Sequence, residues 1–131
     1  MNMNETYNTT NGWTKDDMIA HILCNFKGIS AKVNCENNLG FCLYRGPNGR
    51  KCAVGMFIPD KLYQLRFEDV SAQSVLCDEV KLEKLMPLNI DGMTALQNVH
   101  DNYRGHKASE DSDEKCLADM IDWIEGMVKD A

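Results

Sequence analysis

No apolar run in the 131 residues approaches the ~18 that a membrane-spanning helix needs. The first ten residues are polar and carry no signal-peptide core, so a membrane or secreted protein is not expected. No C-x-x-C pair occurs among the six cysteines (Cys24, Cys35, Cys42, Cys52, Cys77, Cys116). Reduced, buried cysteine is therefore the expectation, not a disulfide framework. His21-Ile-Leu-Cys24 with Cys35 and Cys42 fits no zinc module's spacing, and neither a metal nor a cofactor is expected. The order G-x-x-x-x-G-K-[ST] is absent, which excludes a phosphate-binding P-loop. No internal repeat is visible.

What is present is an ordinary globular composition, 44% hydrophobic, which excludes wholesale disorder. A chain of this length buries roughly 68% of its unfolded surface, enough for one domain without covalent staples. Net charge is −6, and it is unevenly placed. Residues 36–66 carry a balance of +3 through Arg45, Arg50, Lys51, Lys61 and Arg66, whereas residues 67–131 carry −9. An acidic whole disfavours duplex nucleic acid, whose binding rests on neutralising phosphates. A basic island in an acidic chain suits one small anionic ligand.

Residues 1–12 lack apolar periodicity and read as a flexible tail, with a single globular domain over 13–131. Thr14 reads as an N-cap with Asp16 and Asp17 in the first turn. Met18, Ile19, Ile22, Leu23 and Phe26 follow at helical spacing, and Gly28 is the expected stop. Gly46-Pro47-Asn48-Gly49 has the chemistry of a hairpin turn, which would place Tyr44-Arg45 and Arg50-Lys51 on its two arms. Cys52–Ile58 is continuously apolar and fits a buried strand or helix equally. Residues 74–86 read as a helix stopped by Pro87. Asp91 reads as the cap of a helix striped by Met93, Leu96, Val99, His100 and Tyr103. Asp113 reads as the cap of a last helix lined by Leu117, Met120, Ile121, Ile124, Met127 and Val128. The expected fold is α+β, a mainly helical single domain with a small β-hairpin or sheet.

The densest chemistry lies at Tyr44–Lys51. Arg45 and Lys51 offer bidentate and point-charge recognition of phosphate. Gly46 and Gly49 let backbone amides approach an anion. Tyr44 supplies a face for a base, and Asn48 a donor and acceptor for a base edge. Trp13 and Trp123 are further stacking candidates, though Trp13 also suits a hydrophobic staple and Trp123 the core or an interface. His100 falls on an apolar stripe and reads as a core histidine; successive helical residues point about 100° apart, so Asp101 is poorly placed to orient it as a base.

The pattern C-x-Y-R-G-x-x-G-x-K-C-A-x-G-x-x-I-P-D over Cys42–Asp60, with Leu96-Gln97-x-x-His100-Asp101 further on, resembles a widespread family of small bacteriophage-encoded proteins. The likeness extends to an opening helix like Met18–Phe26 and a closing one like Leu117–Val128. Many members carry cysteine where this chain has Met56, which weakens any role for a thiol there. The chain is also similar to viral sponge proteins that sequester cyclic nucleotide signals of anti-phage defences such as CBASS. That resemblance implies stoichiometric binding without turnover, a homo-oligomer such as a tetramer, and action in the cytoplasm of an infected bacterium. The competing readings are an acidic protein that docks on a host protein or mimics nucleic acid, and a small hydrolase of a nucleotide signal.

Overall fold

The computed structural model describes residues 6–25, 44, 51–68, 70–102 and 110–131. The fold is α+β and mainly helical, with one small sheet. Helix α1 spans Lys15–Cys24. Thr14 is extended and accepts from the Asp17 N–H, while the Asp17 carboxylate accepts from the Thr14 N–H, a complete capping box. Met18 and Ile22 bury the inner face, and Asn25 closes the helix. Gly28, the expected stop, lies outside the described residues. Thr14→Ala removes one half of this reciprocal pair and should cost about 1 kcal/mol of stability, read from the urea midpoint. An unchanged midpoint would mean that the helix start is held by its tertiary contacts alone.

Residues 6–12, expected to be a flexible tail, are built into the fold. Strand β1 (Tyr7–Asn8) pairs in parallel with β2 (Val128–Lys129), Tyr7 opposite Val128. Thr9 is buried, and its Oγ1 accepts from the Ala131 N–H at 3.0 Å. The Thr10 N–H donates to the Pro87 carbonyl at 2.8 Å. Asn11 and Gly12 turn the chain at φ 57° and 81°, a left-handed region that asparagine and glycine enter at least cost. The Asn11 side chain then donates to the carbonyls of Met86 and Glu83. A two-residue strand paired across the whole chain leaves no local periodicity, which is why the sequence reads as a tail.

The helix expected over 74–86 is two helices, α2 (Ala72–Asp78) and α3 (Val80–Glu83). They part at Glu79, whose backbone leaves the helical region and whose carboxylate pairs with Arg66 at 2.7 Å. Helix α4 (Ile90–Asp101) is capped by Asn89, not Asp91, through a 2.8 Å bond from the Gly92 N–H. Helix α5 (Glu110–Met127) begins before the expected cap at Asp113. α4 packs against both α2 and α5, and α1 packs on α5. Cys116, Met120 and Ile124 recur every four residues as the buried face of α5. None of the helices among the described residues is long and apolar enough to cross a membrane.

Candidate functional site

The segment Cys52–Ile58 is neither strand nor α-helix. It is a turn leading into a 3-10 helix at Gly55–Phe57, with all seven residues buried. Buried backbone that forms no long ladder must find other partners. Gln97 of α4 supplies one, accepting the Val54 N–H at 2.9 Å and donating to Asp101 Oδ1 at 2.9 Å. His21 supplies another at the Met56 carbonyl, 2.7 Å away. The Gly55 N–H lies 3.3 Å from Cys52 Sγ. The run is a buried floor held by polar side chains from two helices.

Of the anticipated ligand-binding residues, Arg45, Gly46, Asn48 and Gly49 lie outside the described residues, as do Tyr103, Cys35 and Cys42. Tyr44 and Lys51 are described. Lys51 is half-buried at the entrance to the floor. Tyr44 is 4% exposed and lies in the core, so its ring presents no face to a base. Its N–H donates to Glu68 Oε1 at 2.9 Å and its hydroxyl to the Val70 carbonyl at 2.5 Å. Glu68 also accepts from the Tyr63 hydroxyl, and the Tyr63 ring meets Phe67 edge-on. The Tyr44 backbone rests directly on Gly55. Tyr44 is thus a fixed stem: on both sides of the cation- and glycine-bearing stretch, Tyr44 and Cys52 enter the same core.

His100 is wholly buried, and its Nδ1 lies 3.4 Å from Asp101 Oδ1. The neighbour that helix geometry disfavoured does touch the ring, because Asp101 is drawn inward by Gln97. Burial at 0% exposure keeps the imidazole from a substrate in solution. Cys52 and Cys116 are buried free thiols, Cys24 and Cys77 exposed ones. Among the described residues no three His, Cys, Asp or Glu side chains are grouped to hold a metal.

A second feature was not legible as a unit. A cleft of about 460 Å³ opens beside α1, lined among the described residues by Asn11, Gly12, Trp13, Asp17, Ala20, His21 and Cys24. Its wall is aromatic. His21 stacks on Phe57 at 4.6 Å and 22°, and Trp13 meets both rings edge-on at 5.6 Å. Trp13 donates its indole N–H to the Leu85 carbonyl at 3.0 Å. The signal available in sequence was the pair Trp13 and His21 beside a helix start; the contribution of Phe57 from the far floor was not.

No protein-family model, curated protein or solved structure matches this chain.

Proposed function

We propose that this chain is a non-catalytic binding protein that sequesters a cyclic nucleotide second messenger of bacterial anti-phage defence and returns it unaltered. The observation that carries the reading is the anchoring of the Tyr44–Lys51 stretch. Its cations and glycines stand between two stems buried in one core, within an otherwise acidic chain. A cyclic nucleotide asks for a few cations, close backbone amides and a flat apolar wall, without a basic surface overall. Arg45 and Lys51 would meet phosphate, Gly46 and Gly49 would admit backbone amides, and Asn48 would meet a base edge. A homo-oligomer that buries the ligand between copies would supply further contact area, and the place of action would be the cytoplasm of an infected cell.

The test is a thermal-shift panel of cyclic di- and trinucleotides, followed by denaturation and chromatography of the ligand. A bound ligand at a hundredfold excess over Kd adds about 2.7 kcal/mol of stability, so a shift of several degrees with intact ligand is the expected result. Conversion of the ligand would make the protein a hydrolase. Silence across the panel would sink the nucleotide reading and favour docking on a host protein. With the ligand in hand, Arg45→Ala should lose about 1.5–3 kcal/mol of affinity if the guanidinium meets a phosphate. Calorimetric titration showing unchanged affinity would remove Arg45 from the site.

A further inference from the structure

The side-chain donors of the α1 cleft are almost all spent. Asn11 gives its amide hydrogens to the Met86 and Glu83 carbonyls at 2.9 and 3.2 Å. Trp13 gives its indole N–H to Leu85. His21 lies 2.7 Å from the Met56 carbonyl through Nε2; a carbonyl only accepts, so Nε2 carries a proton and is spent there. Beside the Cys24 thiol, a weak donor, the lining offers two acceptors, the Asn11 oxygen and the Asp17 carboxylate. The Asp17 capping bond uses only Oδ2. Such a cleft repels an anion and favours N–H groups.

Its shape narrows the ligand further. The volume of about 460 Å³ falls within the ~300–1,000 Å³ range of small-molecule sites. Phe57 is buried behind His21 and does not itself line the cleft, so the imidazole is a backed surface with the indole standing edge-on beside it. We propose that this cleft seats a planar heteroaromatic ring bearing N–H donors, of the aminopurine class, against Trp13 and His21 with its amino group toward Asp17. The inference rests on the nucleotide reading for the rest of the ligand, since His21 is tied through Met56 to the floor that follows Lys51. For the ring itself it stands independently.

Trp123→Phe leaves Trp13 as the one indole, so its fluorescence reports the cleft directly. Adenosine and guanosine should quench it saturably, and purine riboside, which lacks the amino group, should bind more weakly. Ala20 is exposed and lines the cleft, so Ala20→Leu fills it from outside the core and should raise the dissociation constant about tenfold, the loss of one stacked base. Asp17→Asn keeps a capping oxygen and should erase the preference for the amino-bearing rings. No quenching by either nucleoside overturns the inference, and so does quenching by Nα-acetylarginine amide alone, which would indicate an arginine of a partner protein. Cyclic nucleotides that bind with Trp13 silent and Ala20→Leu neutral would overturn the cleft and leave the sequestration reading intact. Nucleosides that bind here while no cyclic nucleotide binds would do the reverse.

Discussion

Gly55→Ala is expected to destabilise the protein by about 3 kcal/mol, at the upper end for overpacking a core. The Cβ it adds would lie 2.4 Å from the Tyr44 carbonyl oxygen and 3.0 Å from the Tyr44 Cα. Those are backbone atoms, and they cannot yield by changing a rotamer. Tyr44 is itself held at its N–H by Glu68 and at its hydroxyl by Val70, so moving it strains two partly buried hydrogen bonds. Urea denaturation would show the loss as a lowered midpoint. Gly126→Ala is the internal contrast: it lies in α5 with nothing within 4 Å of the added atom, and should add about 0.5–1 kcal/mol by helix propensity. If the two substitutions shift the midpoint alike, the contact between Gly55 and Tyr44 is not tight.

Phe67→Ala should be at least as damaging. Among the described residues Phe67 is the largest of the fully buried side chains, 2% exposed. Removing it forfeits the transfer of a ring and leaves a cavity, a combination that costs about 3–5 kcal/mol. For a domain of this size the thermal midpoint should fall by roughly 10–20 °C. The ring also meets Tyr63 edge-on, and Tyr63 donates to the Glu68 carboxylate that holds the Tyr44 N–H. Loss of Phe67 therefore loosens a stem of the cation-bearing stretch as well as the core. Calorimetry showing a midpoint within a few degrees of the parent would mean that the neighbours collapse into the space.

Local signals in the sequence suffice where the structure obeys local rules. Thr14 with Asp17 announces α1, and Met120 and Ile124 of the expected stripe do face inward in α5, whereas Cys116 joins them unannounced and Val128 leaves the helix for β2. Where tertiary partners decide, the sequence was silent. Glu79 parts a helix that the spacing of Val75, Leu82 and Met86 would continue, its backbone leaving the helical region while its carboxylate pairs with Arg66. Cys52–Ile58 shows neither period, because Gln97 and His21 satisfy its backbone from distant helices. Tyr44 looks like a displayed aromatic in its motif, and only Val70 and Glu68 reveal that it points inward. Phe57 stands 44 positions from Trp13 and 36 from His21, and no short window of sequence contains their meeting.

The pairing of β1 with β2 has a consequence during synthesis. Thr9 and Ala131 stand 122 positions apart, so the sheet cannot close until residues 128–131 have left the ribosome. At about 5–20 residues per second, β1 waits on the order of ten seconds for its partner. Over that interval Thr9, buried in the finished protein, is in water, and the nascent chain holds an unpaired edge. Loop closure over such a span comes late in folding. The ribosome thus sets the earliest moment at which this clasp can be fastened.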